Sequence, residues 1–222
     1  MAITAAFLAV VAAIVIWWLS HQRLAAKPWL EEGVIGDIPV TGAPRARTVK
    51  IGLGVFLAVA CSLFALFSSA YIMRMHMGAD WSPMPVPALL WLNTGVLVVS
   101  SVALHLAQVA AHRGRIEGVQ KALFAGGVLA FAFLAGQLVA WRELDAAGYF
   151  LASNPANSFF YLLTALHGLH VAGGLVALGR ATVKVRRGLN VDQVRLSVEL
   201  CAIYWHFLLF VWLVLFALLL HH

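Results

Sequence analysis

The sequence has few charged residues. Only 11% of its 222 residues are Asp, Glu, Lys or Arg, whereas 63% are apolar. A soluble globular domain typically has about a quarter charged residues and about half apolar residues. This composition excludes an ordinary soluble fold and indicates a protein that lies in a membrane.

Cysteine is also scarce, with only Cys61 and Cys201, each inside an apolar run. A free thiol in such a run behaves as a small hydrophobic group. The sequence therefore predicts neither a disulfide framework nor a cysteine metal site. It also lacks a Gly-rich phosphate loop, an HExxH motif and a visible Ser-His-Asp set. We therefore predict no catalytic residue and no metal ligand in this chain.

Six apolar runs are present, and a helix of about 20 apolar residues crosses the hydrocarbon core of a bilayer. They lie at 3–19, 51–73, 88–110, 122–141, 159–178 and 198–220. We predict an all-α, polytopic transmembrane helix bundle with six spans.

The first run is predicted to be a retained span and not a cleaved signal peptide. No Lys or Arg precedes it, and Trp17 and Trp18 stand where a cleavage site has small residues. Helix-breaking Pro and Gly are frequent in the polar stretch that follows. We expect an N-terminal transmembrane helix at 1–22, an irregular cytoplasmic linker at 23–47 and a five-helix core at 48–222.

Basic residues are distributed unevenly among the polar segments. Lys and Arg are retained on the cytoplasmic side of short loops. With the N-terminus outside, thirteen basic residues lie in the inner segments, and only Arg74 and Arg142 lie outside. We therefore predict that both termini are outside. The net charge of +6 then follows from topology, and we expect no nucleic-acid partner.

Ionisable and polar residues inside spans are costly in lipid and are therefore functional candidates. Those of the last two runs are His167, His170, Glu199, Tyr204, Trp205 and His206. One interpretation makes the three histidines a metal or haem site, because imidazole is a common ligand in bundle cores. The alternative is hydrogen bonding between helices. We favour the second because few polar residues are present to support a bound metal.

Other residues inside the spans are predicted to join helices, as hydroxyl and amide groups do in lipid. The polar ones are Asn93, Thr94, Ser100, Ser101, Gln137 and Thr164. The glycines expected to allow close helix approach are Gly126, Gly127, Gly168, Gly173 and Gly174.

Four blocks, in the second to the sixth apolar runs, carry a family resemblance, and the two most specific of them lie near the C-terminus. Residues 164–171 read Thr-x-x-His-Gly-Leu-His-Val, and residues 198–207 read Val-Glu-x4-Tyr-Trp-His-Phe. In this order on the last two helices, the blocks resemble subunit III of the haem-copper oxidases, the cytochrome c oxidase subunit 3 family. The similarity covers about residues 48–220.

The resemblance implies an accessory, non-catalytic subunit of a bacterial terminal oxidase in the cytoplasmic membrane. It implies haem and copper in the partner catalytic subunit I, none in this chain, and phospholipid bound in a cleft between helices. A nitric-oxide-reductase-type complex is the alternative within this class. A small membrane transporter and a haem protein are the alternatives outside it.

One departure from the family bears on mechanism. The family often has a carboxylate in the middle of its first core helix, where this chain reads Val59-Ala60-Cys61. Two further acidic positions of the family align with about Ala140 and Leu209 of this chain. Of the family's carboxylates in the helices, this chain therefore keeps only Glu199. The resemblance therefore implies a structural and lipid-binding role and not a proton-collecting one.

We predict that the polar residues of the last two helices form one cluster near the inner surface, in contact with lipid headgroups. Basic residues between these helices are expected to face anionic headgroups. They are Arg180, Lys184, Arg186, Arg187 and Arg195. The alternative, that these residues only set the topology, remains open.

Overall fold

The structure is a computed structural model that describes residues 43–77, 80–82, 84–187 and 191–220. These contain five helices: α1 (Ala43–Met77), α2 (Leu89–His112), α3 (Ile116–Ala146), α4 (Pro155–Arg186) and α5 (Val191–Leu220). Each is long and apolar enough to cross a membrane. The all-α, multi-span prediction is confirmed for this part of the chain. The predicted first span at 3–19 lies outside the described residues.

Helices α2 to α5 form a closed ring of four. Within the described residues, α2 and α4 each pack against both α3 and α5, whereas α2 does not contact α4. Helix α1 packs against α4 and α5 but not against α2 or α3. It is therefore an outer helix that lies on one side of the ring.

The sequence of α1 matches this outer position. Its buried residues are Ala60, Phe64 and Tyr71, which recur at helical spacing on one face. Lys50 Nζ near its N-terminus also lies 2.6 Å from Glu199 Oε1 of α5. One narrow face and one ion pair thus hold α1 against the ring.

Helix α1 begins earlier than the sequence predicts. Residues 43–47, assigned above to the irregular linker, are helical. Pro44 is compatible with this start, because the first helical turn does not need the backbone N–H that proline lacks.

The loops at the opposite end of the bundle are fixed by polar contacts. Asn154 caps α4 by accepting a hydrogen bond from Ala156 N at 3.0 Å, and its amide donates to Ser82 O at 2.6 Å. Arg74 Nη2 lies 2.7 Å from Asp80 Oδ2, and this hydrogen bond holds the pKa of Asp80 below its ordinary value. These contacts join the α1–α2 loop to α4 and to the end of α1.

Close helix approach depends on a few glycines. A Cβ at Gly174 of α4 would lie 2.8 Å from Tyr204 Cε1 and 2.9 Å from Trp205 Cζ3 of α5. A Cβ at Gly126 of α3 would overlap the Leu104 side chain of α2. No larger residue fits these positions without a shift of the neighbouring helix or side chain.

The other predicted glycines differ from one another. A Cβ at Gly127 would lie 2.9 Å from Leu178 Cδ2, whereas a Cβ at Gly168 would make only an ordinary contact and one at Gly173 would meet nothing within 4 Å. Gly136, which sequence reasoning missed, lies against the Asn93 side chain. The prediction is thus confirmed at Gly126, Gly127 and Gly174 and fails at the other two, because it could not specify which helix face is covered.

The α4–α5 contact gives a test. We expect Gly174→Ala to lower the stability by about 1–3 kcal/mol, because the added methyl group overpacks two aromatic rings. The control is Gly179→Ala on the same helix, where a Cβ meets nothing within 4 Å. Thermal unfolding of the purified protein in mild detergent measures both. Equal midpoints for the two variants would contradict this account of the interface.

Candidate functional site

Two buried indoles join α5 to α2. Trp205 Nε1 donates a hydrogen bond to Ser100 Oγ, and Trp212 Nε1 donates one to Thr94 Oγ1, each at 2.9 Å. Trp205 and Trp212 are both fully buried and lie two turns apart on one face of α5. The two contacts therefore fix the antiparallel register of α2 and α5.

The first contact continues to a third helix. Ser100 Oγ donates onward to Gly126 O of α3 at 2.9 Å. A chain of hydrogen bonds from Trp205 through Ser100 to Gly126 thus connects α5, α2 and α3. We refer to it as the indole relay.

His206 lies next to the indole relay but faces the outside of the ring. Its Nδ1 is 2.6 Å from Ser101 Oγ of α2, and its ring centroid is 5.7 Å from that of His105. Both histidines are exposed on the surface of the described bundle. This contact adds a further polar link between α2 and α5.

His167 occupies the opposite environment, in the core. It is fully buried, and its ring centroid lies 5.1–6.3 Å from those of Phe64, Phe133 and Trp212. Neither ring nitrogen has a hydrogen-bond partner among the described residues. The aromatic rings pack around the imidazole and leave no room for a haem beside it.

The remaining candidates lie at the α4–α5 and α1–α5 contacts. His170 Nδ1 is 2.8 Å from Leu166 O of the same helix. The backbone carbonyl of His170 accepts a hydrogen bond from Tyr204 Oη at 2.9 Å. Glu199 instead pairs with Lys50 of α1, a partner that sequence reasoning missed.

The structure therefore divides the predicted polar cluster among several helix contacts. His167 faces the core, His206 faces α2 and Glu199 faces α1, and none of the contacts described above joins these three. Among the residues that the structure describes, no group of three or more His, Cys, Asp or Glu side chains is placed to hold a metal ion.

The hydroxyl and amide groups have the inter-helix role predicted for them. Besides the contacts above, Trp141 Nε1 donates to Thr164 Oγ1 at 3.1 Å between α3 and α4, and Asn93 reaches Phe133 O at 3.4 Å. Gln137 is the exception, since its buried amide has no partner in the described part of the chain.

A narrow cleft lies between α1, α4 and α5. It has a volume of about 270 Å³, and its walls include Leu53, Phe56 and Gly173. An adjoining groove of about 330 Å³ extends from it between α4 and α5 and includes Arg180 and Lys184. An apolar slot therefore opens toward two cations.

The predicted headgroup residues have different environments. Arg180 and Lys184 line the groove, while Arg186 and Arg187 are exposed where α4 ends. Arg195 Nε donates to Ala111 O at 3.1 Å, so its guanidinium group caps the C-terminal end of α2, where cations are favoured.

Comparison with known proteins identifies the family. The family model for cytochrome c oxidase subunit III matches residues 4–222. The chain belongs to this family. Subunits of this family include the cytochrome c oxidase subunit 3 of Thermostichus vulcanus, which is 33% identical over 173 residues, covering 76% of this chain and 85% of that protein.

Two other relatives show the range of the family. Cytochrome c oxidase subunit 3 of Synechocystis sp. is 30% identical over 212 residues, or 89% of each chain. Cytochrome bo(3) ubiquinol oxidase subunit 3 of Pseudomonas aeruginosa is 28% identical over 172 residues, covering 74% of this chain and 80% of that protein. This subunit III is therefore similar to subunits of oxidases with two kinds of electron donor.

The indole relay can be tested by a double-mutant cycle. We expect Ser100→Ala and Trp205→Phe each to destabilise the protein. Either substitution alone already removes the indole–hydroxyl hydrogen bond, so the double variant should be less destabilised than the sum of the two, with a coupling energy of about 0.5–2 kcal/mol. Chemical unfolding of the four proteins in mild detergent measures the coupling. Strictly additive effects would contradict a direct contact between these two residues.

Proposed function

We propose that this chain is an accessory, non-catalytic subunit of a bacterial terminal haem-copper oxidase and binds the catalytic subunit I in the cytoplasmic membrane. Family membership supports the complex. The observation that carries the structural role is that the polar side chains of α5 contact other helices: Trp205 contacts Ser100, His206 contacts Ser101, and Glu199 contacts Lys50.

Haem and copper would then reside in the catalytic subunit. The buried histidine of the described residues, His167, does not fit a haem, since aromatic rings enclose it. The relatives named as cytochrome c oxidase and as ubiquinol oxidase subunits both support this role. Either donor is compatible with it, because the donor site would lie on other subunits.

We also propose the topology predicted from the sequence, with six spans and both termini outside. The excess of Lys and Arg in the inner segments supports it. In this orientation, the groove with Arg180 and Lys184 opens at the inner surface, and the loops that contain Asp80 and Asn154 lie at the outer surface. The domain division, with a span at 1–22 and a core that begins with α1 at residue 43, is part of the same proposal.

The cleft between α1, α4 and α5 is proposed to hold a phospholipid acyl chain. Its apolar walls match hydrocarbon, and the Arg180 and Lys184 side chains at its mouth match an anionic headgroup. Arg186 and Arg187 are exposed but do not line this groove, so a purely topological role suits them better. Arg195 has a structural role at the end of α2.

The proposed complex is tested by affinity purification from the native membrane in mild detergent, with the affinity tag on this chain. We expect a haem-bearing polypeptide to copurify and the product to consume oxygen. Nitric oxide consumption would assign the chain to a nitric-oxide-reductase-type complex. A stable, colourless protein without partners would contradict the proposal, and a Soret band from the isolated chain would favour a haem protein.

The headgroup proposal is tested with charge variants. We expect the Arg180→Gln, Lys184→Gln double variant to retain about thirtyfold less anionic phospholipid, because each of the two charges near the surface contributes roughly 1 kcal/mol. The matched control removes Arg186 and Arg187 in the same way. Lipid analysis of the purified complex by mass spectrometry provides the measurement. Unchanged lipid content in the first variant would remove this proposal.

A further inference from the structure

A second and larger groove lies at the other end of the bundle, between α3 and α4. Its volume is about 790 Å³. Leu138, Leu162 and Ala165 form apolar parts of its wall, and Arg142 and Asp145 lie at its mouth. This groove is separate from the cleft beside α1, because it is lined by α3 and by the opposite end of α4.

Hydrogen bonds hold the walls of this groove in place. Trp141, which lines it, is fixed to Thr164. Tyr161 Oη donates to Tyr149 O at 3.0 Å, and Ser158 Oγ donates to Leu151 O at 2.6 Å. The α3–α4 loop is thus fastened to α4, and the groove is formed before any ligand enters.

The two charges at the mouth are available to a ligand. Arg142 and Asp145 lie one turn apart on the same face of α3, and both are exposed. The ion pairs among the described residues are Lys50–Glu199 and Arg74–Asp80, so neither Arg142 nor Asp145 takes part in one. A cation and an anion that belong to neither of these ion pairs therefore lie together beside an apolar channel.

We propose that this groove binds a phospholipid with an amine-bearing, zwitterionic headgroup, such as phosphatidylethanolamine. The phosphate contacts Arg142, the ammonium group contacts Asp145, and one acyl chain lies along Leu162 and Ala165. Trp141 and Tyr161 mark the level of the membrane interface, where aromatic residues are enriched. The inference rests on the proposed topology only in assigning the lipid to the outer leaflet.

The charges distinguish this ligand from other occupants. An anionic lipid without an amine satisfies Arg142 but brings its negative charge near Asp145. A helix from another subunit would cover the exposed wall, where Leu162 is 43% exposed and Leu151 is 60% exposed, without a need for both charges. The paired charges at the end of an acyl-sized channel therefore favour the zwitterionic lipid.

Photocrosslinking identifies the occupant in the native membrane. A benzophenone amino acid in place of Leu162 points a reactive group into the groove of the assembled complex. We expect a lipid adduct, found by mass spectrometry of the peptide that contains the crosslink. An adduct with a polypeptide of another subunit would overturn the proposal.

Variants test the role of each charge in the purified complex. Removal of a single charge near the membrane surface is expected to change lipid retention about fivefold. Arg142→Gln should lower the retention of all phospholipids at this site. Asp145→Asn should lower phosphatidylethanolamine relative to phosphatidylglycerol, and Ala165→Phe should exclude both by filling the channel. Glu143→Gln, on the same turn but not lining the groove, is the control.

The outcome is read as bound lipids per complex by native mass spectrometry. Equal phosphatidylethanolamine retention in the wild type, Arg142→Gln and Ala165→Phe would overturn the inference. A loss of lipid in the Glu143→Gln control as large as in Arg142→Gln would overturn it too. Copurification of the haem-bearing polypeptide is recorded in each preparation, so a failure of the proposed complex is distinguished from a failure of this site.

Discussion

The contact between α2 and α5 is the constraint on which the rest of the structure depends. In lipid, helices gain little from hydrophobic burial against one another, so small residues, close packing and hydrogen bonds must hold them together. The indole relay supplies such bonds at the point where the ring of four helices closes. If α2 and α5 separated, the ring would open, and α2 would then be held by α3 alone, whereas α5 would be held by α4 and α1.

The polar groups of the last helix are used for packing between helices. Trp205, Trp212 and His206 each form a hydrogen bond through a ring nitrogen with a hydroxyl group of α2. The same rigid ring leaves shallow apolar channels where neighbouring helices diverge, beside α1 and between α3 and α4. Charged side chains lie beside the apolar walls of both channels, which matches the lipid ligands proposed above.

Much of this architecture could be predicted from the sequence. Runs of apolar residues locate the five described helices, because a helix that crosses a membrane needs about 20 consecutive apolar residues. The inter-helix role of Thr94, Ser100 and Ser101 followed from the cost of an unpaired polar group in lipid. Their partners could not be predicted, because the rotation of each helix is set by packing. His167, Glu199 and His206 belong to the two neighbouring sequence motifs, yet their side chains point in three directions. His167 faces the core, Glu199 faces α1 and His206 faces α2.

We propose that this chain is a haem-free, lipid-binding subunit whose outer helix rests on a closed ring of four. A map of the complete purified complex by electron cryomicroscopy tests it most directly. We predict haem density only in the neighbouring subunit, α1 in contact with α4 and α5, and lipid density in the cleft between them. Haem ligated by His167 or His206, or a polypeptide filling that cleft, would contradict the account.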